Sequence, residues 1–439
     1  MQKAKYSLIE ILGEISDRRK PNQIIYEQRH VLLIVIIAVL CGMKCCLHIA
    51  YFAMRRKEWF KKLNIHKIPS HDTIGRVLNL THFSELEAAL TLWLEELLKD
   101  KHIRKRIAID AKKVDKKSPN TTTFVRAFLT DIKMVIGGQK IPAYSNEITA
   151  IPQLIKKLNL KGYLVTIDAI GTQTKIADLL ISKKADYLLP VKKNQKALYD
   201  DILLYVQSEK NDAEVFETHD SGHGRIERRR FYAFKTVKWL TERHPRWKHI
   251  KSFGLLESYR KRHNDSLSKT SRLFISSRKL YAKEFLENIR SHWTIENNLH
   301  WPLNQAFDEN KIRSRSTGFI VNFSSILSFC LAVLANFKQS QISFNLQKIM
   351  LSTGGLDPIS KMLCLRPYPC VRPVPFSGQT HEECASSCYR ANLMRVAFFF
   401  VSTYNWCRIT WQEYKPIPIF LVFFYTESKL FFSYNQRLR

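Results

Sequence analysis

Two aspartates stand where short apolar runs end. Asp168 closes the run Leu164, Val165, Ile167 in GYLVTIDAIGTQ, and Asp110 follows Ile107 and Ile109 in RIAIDAKKV. A carboxylate at the mouth of a covered strand is costly unless a positive charge meets it. The plainer reading is an acid that starts a turn or caps the next helix. A third acid, Glu296, lies in a helix-like segment, residues 282–301, on one face with Phe285, Ile289, His292 and His300. Carboxylates brought together repel unless one is protonated or a cation bridges them. Mg2+ suits one or two carboxylates plus substrate phosphate. Two such ions can activate a water or a 3′-hydroxyl and stabilise the leaving oxygen of an in-line displacement. The basic residues around Asp110 (among them Arg106, Lys112, Lys113 and Lys116) suit an approaching phosphate backbone. Glu296 has competitors in Asp308 and Glu309, and its bland reading is a solvent-facing or salt-bridged helix residue. His292, Glu296 and His300, at i, i+4 and i+8, also have the spacing of a zinc-binding helix face, but the two aspartates would then be idle.

The elements that must position these acids follow from the periodicity. Residues 1–100 read as an all-helical N-terminal domain, with an amphipathic helix over 83–99 that Ser84 and Glu87 would start as a capping box. From Arg106 the period changes to that of strands. Three strands (106–114, 122–129, 134–141), a helix (151–160), the LVTID strand, a helix (172–183), a strand (186–191) and a helix after Asn194 give the order βββαβαβα, a mixed sheet with helices on it. That is the order of an RNase H-like fold, in which the first and fourth strands are neighbours and Asp110 would meet Asp168. Residues 209–280 read as a β-rich, basic insertion carrying Arg225, Arg228, Arg229, Arg230, Arg260, Lys261 and Arg262. The fold class expected is therefore α/β, with this RNase H-like domain over 101–345 and an atypical tail over 346–439. In the tail His381, Cys384 and Cys388 have loosely metal-like spacing without a second pair.

A net charge of +31 on a chain with 45% hydrophobic residues points to a polyanionic partner, nucleic acid first and an anionic membrane surface second. Nine scattered cysteines argue for a reducing compartment. The first residues show no signal-peptide pattern. The apolar run 31–43 is shorter than the ~20 residues a membrane span needs, so a buried helix is expected there.

Seven segments in order carry a resemblance to a known family: IPSHDTIGRVL (68–78), IAIDAKK (107–113), SNEITAIPQL (145–154), GYLVTIDAIGTQ (162–173), ADYLLPVKKNQ (185–195), HGRIERR (223–229) and IRSHWTIENNLHW (289–301). The chain resembles the DDE-type insertion-sequence transposases of the H-repeat-associated, ISAs-type family, from about residue 11 to 338. The resemblance implies Asp110, Asp168 and Glu296 as ligands of Mg2+ or Mn2+, two ions in all. It implies a homo-oligomer on DNA that cuts element terminal repeats and joins them to target DNA, in the bacterial cytoplasm at the nucleoid and without a membrane partner. Lys112, Lys113, Lys192, Lys193, Arg225, Arg228, Arg229, His292, Trp293 and Asn297 are the candidate DNA contacts. Three positions depart from the family pattern: Ala111 stands for a Gly, Asn304 for an Asp and Asn310 for another acid. With the tail, which reads as read-through into unrelated sequence, they leave two alternatives open, a DNA-binding remnant and an RNase H-like nuclease.

Overall fold

The first helices are started by their own side chains. Ser7 and Glu10 cap each other at α1 (Leu8–Gly13), and Ser70 accepts from Thr73 N–H at α5 (His71–Leu80). Between them lie α2 (Gln28–Leu40), α3 (Cys46–Arg55) and α4 (Lys57–Lys61), and α6 (Phe83–Leu98) follows. These positions come from a computed structural model, which describes residues 7–98, 104–114, 122–142, 145–222, 225–262, 266–312, 314, 316–338, 342–365, 425–426 and 429–430. Every residue of α2 from Val31 to Leu40 is buried, as expected of a helix that is apolar all round. The capping box expected at α6 does not form, because Glu87 turns instead to the Gly138 N–H at 2.9 Å and the Ser325 hydroxyl at 3.3 Å.

A nine-stranded sheet follows, in spatial order β3-β2-β1-β4-β5-β9-β8-β7-β6. Strands β1 (Arg106–Val114), β2 (Thr122–Leu129) and β3 (Met134–Ile141) form an antiparallel meander. After α7 (Glu147–Lys157), β4 (Leu164–Ile167) lies parallel to β1. After α8 (Thr174–Ser182), β5 (Asp186–Val191) lies parallel to β4. The expected adjacency of the first and fourth strands is therefore present. Helix α9 (Lys196–Ser208) leads to β6 (Glu214–Gly222) and β7 (Arg225–Phe234), then α10 (Lys238–Arg243), β8 (Ser252–Arg262) and β9 (Ser268–Ser276). Residues 209–280 are not a separate sheet: β9 pairs with β5, aligning Leu188 with Ser276 and Val191 with Leu273, so the insertion prolongs the first sheet. β6 escapes a sequence reading because its EVFETHDSG carries no apolar face.

The chain continues through α11 (Ala282–His292), α12 (Trp301–Gln305), α13 (Thr317–Phe337), α14 (Phe344–Thr353) and α15 (Leu356–Met362). α13 is long and apolar enough to cross a membrane, yet 78% of its most apolar window is buried inside the protein. It also carries Asn322, whose Nδ2 donates to the carbonyls of Leu78 at 2.7 Å and Thr81 at 2.8 Å, which marks a core helix. The N-terminal helices share one continuous hydrophobic core with the sheet. The boundary expected at 346 falls inside α14. There Lys348 donates to the Ala306 carbonyl, Arg56 donates to the Ser352 carbonyl at 3.1 Å, and buried residues continue to Leu365. Residues 2–376 form one compact unit. The second comprises Met1 and 377–439, described only at β10 (Tyr425–Thr426) and β11 (Lys429–Leu430), which pair antiparallel. His381, Cys384 and Cys388 lie outside the described residues.

Candidate metal centre

The register of β1 against β4 sets the first two acids. Ile109 aligns with Ile167 in a parallel pair, so Asp110, which continues β1 opposite Arg126 of β2, and Asp168, the residue after the end of β4, follow at the same level. Asp168 also caps: its Oδ1 accepts from the Gly171 N–H at 3.3 Å, starting a 3-10 turn over Ala169–Gly171. Cap and cleft residue are thus one and the same. The turn is tightly seated, since a Cβ at Gly171 would come within 2.2 Å of the Ile167 side chain. It is braced from the far side of β5, where Thr172 Oγ1 donates to Pro190 O at 2.7 Å, Asn194 to Ala169 O at 2.8 Å and Gln195 to Thr172 O at 3.1 Å. This brace is the structural use of the KKNQ motif, and it leaves Lys192 and Lys193 exposed.

The third acid sits on an irregular turn. The continuous helix expected over 282–301 instead ends at His292, and Glu296–His300 form a π turn in which the Trp301 N–H reaches the Glu296 carbonyl. Single π turns inside helices recur at functional sites. His300, 3% exposed, directs Nδ1 to Glu296 Oε2 at 3.0 Å and to Asp110 Oδ2 at 3.5 Å. One donor atom from each of Asp110, Glu296 and His300 lies within 4.8 Å of the others. His292 turns Nδ1 to the Thr166 hydroxyl on β4, 2.9 Å away, while its ring lines a cleft with Asp110, Asp168 and Glu296, and it stays outside the group formed by Asp110, Glu296 and His300. Burial, with His300 next, lowers its pKa to about 4. Trp293 is half exposed with the Arg272 guanidinium 5.5 Å from its ring centroid, and Asn297 is exposed.

Asp110, Asp168 and Glu296 line one cleft of about 390 Å³, together with Lys192, Arg272 and Trp293. Burial, and then the neighbouring carboxylates Asp168, Glu147 and Glu296, push the Asp110 pKa up to about 7 against an opposing hydrogen bond from the Ala111 N–H. Glu147, at the start of α7, is raised by burial and then by Asp168. The donor set fits a hard divalent cation: clustered carboxylate oxygens whose mutual repulsion a positive charge would relieve.

The remaining candidates scatter. Lys112 does not face solvent: 8% exposed, its Nζ meets Glu309 at 2.5 Å, Asn304 Oδ1 at 2.7 Å and the His300 carbonyl at 3.2 Å. An ammonium held this way inside the core is not offered to a phosphate backbone. Lys113, the next residue of the strand, is exposed. Arg228 and Arg229 stand on β7 in ion pairs, Arg228 with Glu217 across on β6 at 2.6 Å, and Arg229 with Asp220 across on β6 and with Glu227 of its own strand at 2.7 Å. The Arg225 backbone pairs with Gly222 and Arg262. The acids that competed with Glu296 are engaged elsewhere. Glu309 is fully buried against Arg126 and Lys112, and Asp308 pairs with Lys44 at 2.5 Å and Lys311 at 3.1 Å. Ala111 lies within β1 opposite Val125, where strand backbone does not require a glycine. The roles of His300 and Lys112 were legible only as residue types, because nothing in the spacing tells which groups they face.

Comparison with known proteins supplies the context. A family model described as "Transposase DDE domain" matches residues 101–334, and one described as "DDE_Tnp_1-associated" matches residues 9–94. YncI of Escherichia coli O157:H7, which carries a transposase name, is 33% identical over 374 residues, covering 80% of this chain and 94% of its own length. YhhI of Escherichia coli K12, named as an H-repeat-associated transposase, is 30% identical over 346 residues, covering 75% of this chain and 91% of its own.

Proposed function

Because the chain belongs to the H-repeat-associated family of DDE-type insertion-sequence transposases, we propose that it cuts DNA at insertion-sequence ends and transfers the freed 3′-hydroxyl to target DNA. The observation that carries this reading is the convergence of Asp110, Asp168 and Glu296, from three separate elements, on one cleft within the matched region. The sheet around it is read as RNase H-like, from the strand order β3-β2-β1-β4-β5. Asp110, Asp168 and Glu296 are the residues that would hold two divalent ions, Mg2+ or Mn2+. Such ions supply Lewis-acid polarisation of the phosphoryl group and a lowered pKa for an attacking water or hydroxyl.

The chain's own residues do the rest. Asp110 and Asp168 are fixed by the β1–β4 register, and the Asn194–Gln195 brace holds the turn below Asp168. Lys113, Lys192, Lys193, Trp293, Asn297 and the arginines Arg225, Arg228 and Arg229 of β7 meet DNA, mostly through phosphate, so binding weakens steeply with salt. His292 and Lys112 act from inside, on Thr166 and on the His300 turn. The protein works as a multimer on DNA, in the bacterial cytoplasm at the nucleoid. Incubating the full chain with labelled element ends, target DNA and Mg2+ or Mn2+ tests the reading. Nicked and joined products support it; nicking alone indicates a nuclease, and a band shift without either indicates a DNA-binding remnant.

A further inference from the structure

The carboxylate reading leaves the buried imidazole between two of the acids unused. We propose that His300 Nδ1 is itself a donor of the centre, so that Asp110, Glu296 and His300 form a mixed oxygen–nitrogen site that takes a divalent transition ion of the Mn2+ kind in preference to Mg2+. The inference rests on the reading above that Asp110 and Glu296 hold a cation.

The geometry points this way. His300 is 3% exposed, and the nitrogen it turns toward the cleft is 3.0 Å from Glu296 Oε2 and 3.5 Å from Asp110 Oδ2. Two donors at right angles around an ion, each at an ordinary ~2.1 Å, are about 3 Å apart, so the spacing already present matches neighbouring ligands. The backbone beneath the imidazole is pinned. Lys112, two residues beyond Asp110 on the same strand, bonds the His300 carbonyl at 3.2 Å and Asn304 at 2.7 Å, and is anchored to Glu309 at 2.5 Å. The π turn brings donor atoms of Glu296 and His300 within 4.8 Å of an Asp110 oxygen, while the Nδ1 of the other nearby imidazole, His292, is committed to Thr166. Nitrogen donors favour transition ions, whereas Mg2+ demands oxygens and keeps much of its water.

Pulsed electron paramagnetic resonance of the Mn2+-loaded full chain reads the assignment directly. Modulation from a directly bound imidazole 14N is expected in the unaltered protein and absent in His300→Asn. Mn2+ affinity, followed by the signal of the free ion, should fall by about tenfold or more in that variant, with Mg2+ affinity, measured by competition, changing far less. Bound Mn2+ without 14N modulation in the unaltered protein overturns the proposal, and that measurement stands even if His300→Asn fails to fold. Asp110→Asn separates the two levels. If it abolishes Mn2+ binding while no imidazole nitrogen is seen, only the His300 assignment falls. If Mn2+ binds Asp110→Asn undiminished, the metal reading of the cleft falls with it.

Discussion

Asp110 and Lys112 stand two residues apart on the same face of β1, and they lead into opposite electrostatic worlds. Around Lys112 one buried carboxylate answers two buried cations: Glu309 is held at about 2 because Arg126 and Lys112 outweigh the burial that would raise it. Around Asp110 the acids accumulate, and burial with Asp168, Glu147 and Glu296 drives its carboxyl up to about 7. Both clusters are built from the same few elements, β1 and the segment from Glu296 to Glu309. A sealed, ion-paired network is architecture, since removing one member strands the rest in low dielectric. An open cluster with surplus negative charge is incomplete until something positive enters it. That difference, more than the presence of acids, separates Glu296 from Glu309, which the sequence offers as near-equal rivals.

The comparison can be broken at several points. The largest effect is expected at the open cluster: Asp168→Asn should reduce cutting of element ends by ~100- to 1,000-fold or more, with salt-sensitive DNA binding nearly intact. Persistent cutting in that variant would mean that the cleft is not the reacting centre. At the sealed cluster, Glu309→Gln should cost about 3–5 kcal/mol by leaving Lys112 and Arg126 unmatched in the core, read by denaturant unfolding. A loss below ~1 kcal/mol would show that the network is hydrated rather than sealed.

Opposite signs of pH dependence sharpen the contrast further. Asp110, raised from 3.8 to about 7, contributes stability that is fully present below pH 3.8 and is lost as pH rises toward 7. Glu309, lowered from 4.5 to about 2, contributes stability present above pH 4.5 and lost as pH falls through 2. Metal-free protein should therefore lose melting temperature between pH 5 and 7.5, and added Mn2+ should restore more of it at pH 8 than at pH 5. Asp110→Asn should itself be stabilising without metal at pH 8, by roughly 1–2 kcal/mol, and should flatten that response. Equal metal stabilisation at both pH values would contradict the charge-surplus account. The smallest effect belongs to adjacent lysines: Lys113→Ala should lower the slope of log affinity against log salt by about one, whereas Lys112→Met should lower protein stability without altering that slope.

The candidate acids were legible before any fold was known, because an apolar run that ends in an acid advertises itself. The runs before Asp110 and Asp168 have the right length and branching, and the βββαβ order implies that β1 and β4 meet. The failures have equally physical causes. Lys112 reads as a DNA contact because it belongs to a basic run, and only the pleat of β1 shows that it points inward beside Asp110 while Lys113 points out. The Glu296 helix looks continuous because apolar residues recur at helical spacing through 282–301, and periodicity is blind to one widened turn. A boundary at 346 cuts through α14, whose buried Lys348 and Gln347 look like surface residues until the carbonyls they reach are seen.

What the sequence determined by itself was local: the order of most strands and helices, which acids follow their apolar runs, and that the surplus of positive charge calls for a polyanion. What only the tertiary structure decided was which charges face each other. Strand register brought Asp110 and Asp168 to one cleft, one π turn brought Glu296 and His300 to Asp110, and burial closed Glu309 and Lys112 away from solvent. Electrostatic energy depends on distance and on the dielectric between the groups, and neither quantity is written in the order of residues.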